Sequence, residues 1–289
     1  MRTGRGYYPA DVVLLVYLLV TGIPLLLSPY SFPGRGDYMM MHFGGLLLVS
    51  LLHFAPRAGH PLWRFVRHWY IFFGLPFLYG ALRHLNRLLS LDFFDGEVVR
   101  VEEAIFGCQP SQILHQLLPF GSLSEFLHLS YLLYLALIPL VGFSLYYAGR
   151  RAAHREFATT ALSAYFTCYL LFILLPVRGP FHYFGPLDPP PVGGFFASLV
   201  HDMLHGASSV GTAFPSSHVA AAVAIWLVSR RHQPVISKIV GVLALGILVG
   251  TVYGGFHYAV DAAVGLLVGI AIGLLGPRLH GGLARLVDG

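Results

Sequence analysis

Three short stretches of this 289-residue chain carry side chains whose types and spacing can do chemistry. His257 and Asp261 stand four residues apart, the spacing that puts two side chains on one face of a helix. A carboxylate bonded to one imidazole nitrogen fixes the tautomer and leaves the other nitrogen able to attack an electrophile. A pair that serves only packing uses the same two residues equally well. Earlier in the chain, Pro215-Ser216-Ser217-His218 reads as a helix start. Proline sets the entry, serine caps the first amides, and the unpaired N–H groups there attract anions. His218 then stands beside any anion so held and can protonate a leaving oxygen. Taken alone, the stretch is also a plain cap followed by an interfacial histidine. Arg178, flanked by Gly179 and Pro180, is a cation at a helix end, and alone it is equally a snorkelling arginine. Together the three describe a cradle for phosphate that also holds a nucleophile and an acid.

The elements that must position these residues are apolar. Hydrophobic residues make up 56% of the chain and charged residues 11%, against roughly 25% charged in a soluble domain. The fold class expected is an all-α, polytopic membrane helix bundle forming a single membrane domain over residues 1–289. Eight candidate spans cover 10–27, 38–54, 69–89, 123–146, 157–175, 214–228, 235–252 and 258–275, several of them near the ~20 residues a bilayer crossing needs. The N-terminal apolar run reads as a retained helix, because no small-residue cleavage site follows it. The net charge of +5 is modest and follows topology, which argues against a nucleic-acid partner. With a cytoplasmic N-terminus, 13 of the 18 Lys and Arg fall on inside ends and loops. That orientation places both termini in the cytoplasm, and Arg178, His218 and His257 together on the extracytoplasmic face. A polar group kept there inside a membrane protein is costly without a use.

Two loops are expected at that face. Residues 90–122 begin acidic, with Asp92, Asp95, Glu97, Glu102 and Glu103, and then turn apolar. They read as one or two amphipathic helices along the interface, more a lid over helix ends than a source of catalytic groups. Residues 176–211 pass through Pro189-Pro190-Pro191 into a short interfacial helix over 195–205, placed to gate the site from the lipid side. His201, Asp202 and His205 within it share a pattern that metals use, but loop histidines of this kind are far more often solvated. Neither metal nor cofactor is expected.

The order and spacing of these parts resemble the phosphatidic acid phosphatase type 2 superfamily of lipid phosphatases and phosphotransferases. Its pattern runs K-x6-R-P, P-S-G-H and S-R-x5-H-x3-D, with a helical hairpin before the last motif. The likeness covers about 157–275, the expected catalytic core. It implies that His257 forms a phosphohistidine, Asp261 orients it and His218 is the general acid. It also implies that Arg178, Ser216, Ser217 and the helix N–H groups hold phosphate oxygens. The chain departs from the pattern at three places. Leu171 stands where the lysine belongs, Gly179 separates Arg178 from its proline, and Gly250-Thr251 replaces Ser-Arg. Arg83 and Arg87, four apart at the end of the third span, are candidates for the missing charge, or a plain positive flank. The surroundings of the motifs are similar to the inositol phosphorylceramide synthase branch, which moves phosphorylated head groups between lipids. The resemblance thus implies phosphoryl chemistry on a membrane lipid phosphate without metal, with water or a lipid hydroxyl as acceptor. A non-catalytic lipid-phosphate binding or transport protein is the alternative that the missing cations favour.

Overall fold

The computed structural model describes residues 6–32, 34–57, 59–207 and 209–288, the side chains of 204–207 excepted. Among these residues the chain is 78% helix and has no strand. Twelve α-helices follow in order: α1 (Pro9–Leu27), α2 (Arg35–Leu51), α3 (Pro61–Leu85), α4 (Asp95–Phe106), α5 (Pro110–Leu117), α6 (Gly121–Tyr147), α7 (Arg151–Leu174), α8 (Pro180–Tyr183), α9 (Phe195–Ala207), α10 (Ser217–His232), α11 (Pro234–Tyr253) and α12 (Ala259–Asp288). Proline opens α1, α3, α5, α8 and α11, where its missing N–H removes no intrahelical bond.

Among the described residues six helical stretches, α1, α2 with the turn that extends it to Phe54, α6, α7, α11 and α12, are long and apolar enough to cross a membrane, and the chain is an integral membrane protein. The two further spans read from the sequence correspond to α3, which carries Arg64, Arg67 and His68 in its first turns, and to α10, which has only 16 residues. The 90–122 loop folds into α4 and α5, two short helices as its pattern suggests.

The centre of the bundle is built on small side chains. Ala220, Ala221, Ala222 and Ala224 of α10 are fully buried, and Gly265, Gly269, Gly273 and Gly276 of α12 recur along one face. A Cβ at Gly265 would stand 2.5 Å from the Ser216 carbonyl oxygen, and one at Gly269 would stand 2.6 Å from that of Ala220. Small residues at this spacing let two backbones approach closely, which is how helices associate where no water drives them together. The seam therefore fixes the start of α10 against α12.

At the other end of the bundle, Arg67 of α3 meets Asp11 of α1 at 2.9 Å with both side chains buried, and the Tyr70 hydroxyl donates to the same carboxylate at 2.7 Å. Such a pair sets α1 against α3, since removing one partner typically costs about 3–5 kcal/mol.

Candidate active site

The sequence brings His218 to the site through a helix cap. Ser216 is the N-cap of α10, its hydroxyl accepting from the Val219 N–H at 3.4 Å. The Ser216 N–H in turn donates to the Asp261 carbonyl at 3.0 Å, so the second motif is stitched directly to the third. Ser216 and Ser217 are buried, while His218, one residue further, is only partly buried. Its ring lies between Tyr131, at 4.9 Å, and Tyr134, at 4.4 Å, both from α6.

His257 precedes α12, which begins at Ala259, and so reaches Asp261 from the loop rather than from a shared helix face. His257 Nδ1 lies 3.5 Å from Asp261 Oδ2 and makes no hydrogen bond. That carboxylate oxygen instead accepts the Tyr258 N–H at 2.9 Å, capping the helix. Bonds of this kind often tighten only when a substrate is bound. On the opposite edge, His257 Nε2 lies 3.4 Å from His218 Nδ1. The two histidines thus touch, and any group placed between them must part the rings. Burial pushes the His257 imidazole down to about 4, against a smaller upward pull from the nearby Ala213 backbone. The ring is therefore neutral at pH 7, with a lone pair available on one nitrogen.

Arg178 follows α7 in a segment pinned to both motifs. The Ala213 N–H donates to the Val177 carbonyl at 2.9 Å, and Gly179, at φ +90, packs so closely that a Cβ there would lie 3.3 Å from the Phe256 carbonyl oxygen. Only glycine fits such a backbone, which accounts for the residue that interrupts the Arg-Pro pair. The guanidinium Nε donates to Asp95 of α4 at 3.3 Å, and the group lies over the rings of Phe93 and Tyr183, at 5.3 and 5.2 Å.

Arg83 and Arg87 part company. α3 stops at Leu85, so helical spacing no longer relates the two, contrary to the shared face that their numbering suggests. Arg83 is exposed. Arg87 turns back over Phe93, 4.2 Å from its centroid, donates to the Leu91 carbonyl, and keeps a buried Nη1 without a partner. Arg87 and Arg178 therefore pack on the same phenyl ring.

Several residues that shape the site were not singled out in the sequence: Asp95, Glu102 and Tyr258 around the cradle, and Tyr131 and Tyr134 around His218. For the two acids a signal exists, since seven residues place them on one helical face together with Val98. Tyr79 and Asn86 of the third helical segment also reach the loop before the second motif, bonding Thr212 at 3.1 Å and the Val210 carbonyl at 2.8 Å. His201 packs against His128 and Phe256, and the side chain of His205 lies outside the described residues. Among the described residues, no group of three His, Cys, Asp or Glu is placed to hold a metal.

Ser217 and His218 also line a cavity of about 580 Å³ between α3, α6 and α7. Its other walls are apolar and aromatic, including Trp69, Tyr79, Leu135 and Phe143, with Val200 and Met203 of α9 beside them. From Tyr131 to Phe143 it runs about 18 Å along α6, at a rise of 1.5 Å per residue.

A neutral, buried imidazole thus faces a second one at a capped helix start within a membrane bundle. Residues 96–275 match the family model of the PAP2 superfamily, and the chain belongs to that superfamily. No curated protein and no solved structure matches the chain.

Proposed function

We propose that this protein is a membrane lipid phosphatase or phosphotransferase that works through a phosphohistidine at His257 and needs no metal. The observation that carries the reading is the position of His218. It touches the nucleophile on one side and lines the apolar cavity on the other, which is where a hydrocarbon chain attached to the leaving oxygen belongs.

His257 Nε2 attacks phosphorus, the bond from phosphorus to the lipid oxygen breaks, and His218, protonated from solvent once the anion is bound beside it, gives that oxygen its proton. The electron pair of the broken bond stays with the departing lipid alcohol. In the second half, His218 takes a proton from water or a lipid hydroxyl as its oxygen attacks the phosphohistidine, and His257 leaves. Arg178, the α10 N–H groups and Ser217 would hold the non-bridging oxygens. Arg87, which packs on the same phenyl ring as Arg178, is the candidate for the second cation. Asp261 would stabilise the His257 ring as it gains positive character. The basic residues Arg150, Arg151, Arg155, Arg230 and Arg231 cluster at the end of the bundle remote from His218 and His257, which supports an extracytoplasmic site.

Transfer of a phospho-head group between lipids is a second reading that one observation favours. Arg178 shares its charge with Asp95, so the cradle suits the single charge of a phosphodiester better than the two of a monoester.

The test incubates purified protein with radiolabelled lipid phosphomonoesters and phosphodiesters, with and without a long-chain alcohol. Wild type should carry acid-labile label on the protein, and His257→Ala should carry none and turn over nothing. Wild-type turnover by His257→Ala would remove the mechanism.

A further inference from the structure

α4 lies outside the three motifs, yet two of its acids are as completely buried as Asp261. Asp95 and Glu102 are both 0% exposed, while Glu97 and Glu103 of the same helix are exposed. A buried carboxylate is expensive unless donors surround it, so the partners of these two matter. Asp95 Oδ2 accepts the Arg178 N–H at 3.0 Å and its Nε at 3.3 Å. Its Oδ1 accepts the Gly179 N–H at 3.0 Å and the Tyr258 hydroxyl at 3.2 Å. One side chain thus joins the arginine of the cradle to the neighbour of the nucleophile. Glu102 Oε1 accepts the Val260 N–H at 3.0 Å, at the first turn of α12, and burial pushes its carboxyl above the usual range. Seven residues separate the two acids, two turns on one face, or about 10 Å along the axis.

We propose that Asp95 and Glu102 are positioning residues, and that α4 is a rigid spacer setting the distance between Arg178 and the start of α12. The role rests on the phosphoryl-transfer reading of the site. Asp95 engages Arg178 through its backbone and Nε, which leaves the Nη pair to make a forked contact with a phosphate. Glu102 holds the helix start that follows His257. The two ends should therefore fail differently: Asp95 through affinity for the anion, Glu102 through the rate of the chemical step. A single accepting oxygen suffices at Glu102, so glutamine should replace it.

The experiment uses the full-length protein in detergent micelles, with inorganic phosphate and vanadate as binding probes and a labelled phospholipid as substrate. Loss of an orienting partner typically costs about 10–100-fold. Asp95→Asn should weaken phosphate and vanadate binding by about that factor and raise KM, with Tm kept. Glu102→Ala should lower kcat by about tenfold at unchanged KM and phosphate affinity, and Glu102→Gln should restore it. Glu97→Ala and Glu103→Ala should behave as wild type. Should Asp95→Asn not fold, Tyr258→Phe removes one of the four donors and should shift vanadate affinity by about threefold, a fraction of the full loss. Equal vanadate affinity in wild type and in the folded variant at this end overturns the clamp alone. Glu102→Gln as impaired as Glu102→Ala also overturns it. A wild type that binds neither probe and turns over no phospholipid overturns the functional reading and this role with it.

Discussion

α2 and α12 are both apolar helices rich in glycine, and they use it in opposite ways. A Cβ added at Gly44 or Gly45 of α2 would meet nothing within 4 Å, whereas one at Gly273 would meet Leu227 at 2.6 Å and one at Gly276 would meet Thr160 at 2.4 Å. Only Val49 of α2 is buried, and its other residues are half-buried or exposed. Glycine in α12 recurs at 265, 269, 273 and 276, a helical period, while in α2 the pair is adjacent and has none. In a membrane, then, it is the period of the small residues that marks a load on the fold, not their number. The site sits at the end of the periodic seam.

The sharpest way to break the comparison is to fill both sets. Gly265→Leu drives a side chain into the Ser216 backbone, which cannot give way as a flexible side-chain tip would. Overpacking of this kind costs about 1–3 kcal/mol or more. Phosphoryl turnover should disappear and the melting temperature in micelles should fall. Gly45→Leu should alter neither, and equal damage from both would mean that the seam has no special role.

The arginines give a smaller effect with the same logic, since one faces inward and one outward. Arg87→Ala should lower kcat/KM by at least ~10-fold, within the ~2–4 kcal/mol that a lost charge-assisted donor costs in a transition state. Arg87→Lys should restore only part, because a point charge cannot make the forked contact. Arg83→Ala should leave steady-state kinetics unchanged. Full activity in Arg87→Ala would leave Arg178 and the backbone amides to hold the phosphate alone.

A third contrast, smaller still, is between a buried imidazole and an exposed one. An exposed histidine takes up its proton near pH 6.5, while His257 holds off until about 4. The limb of the kcat/KM profile that reports the nucleophile should therefore stay flat on acidification until about pH 4. Between those two values the unfolded chain binds a proton that the folded one refuses, so stability should decline as pH falls from 6.5 and level off near 4. Thermal melts across that interval check the sign, and an acid limb at 6.5 would place His257 in water.

These contrasts also mark how far the residues alone could be read. The apolar runs and their proline starts locate the helices within a few residues, and the ordered motifs point to Arg178, His218, His257 and Asp261 before any coordinates. Helical phase holds only within a helix, so Arg83 and Arg87 looked equivalent although α3 ends between them. Asp95 and Arg178 are 83 residues apart, and nothing local in either stretch announces the other. Tyr131 and Tyr134 looked like ordinary members of an apolar span, because which face of α6 meets His218 depends on the packing of other helices. Placement written in consecutive residues was legible, and contacts assembled across the bundle were not.

The 3.4 Å contact between the two histidine rings has a bearing on selectivity in a crowded bilayer. Every neighbouring lipid has tails that the aromatic cavity would accept, so hydrocarbon alone cannot distinguish a substrate from the surrounding solvent. Parting the rings separates two groups already in contact, and a tail makes no interaction that offsets this. On the proposed reading an anionic head would, through Arg178 and the amides at the start of α10. The closed pair would then open to a charged head group and not to hydrocarbon alone, and selection would fall on the head before the tail.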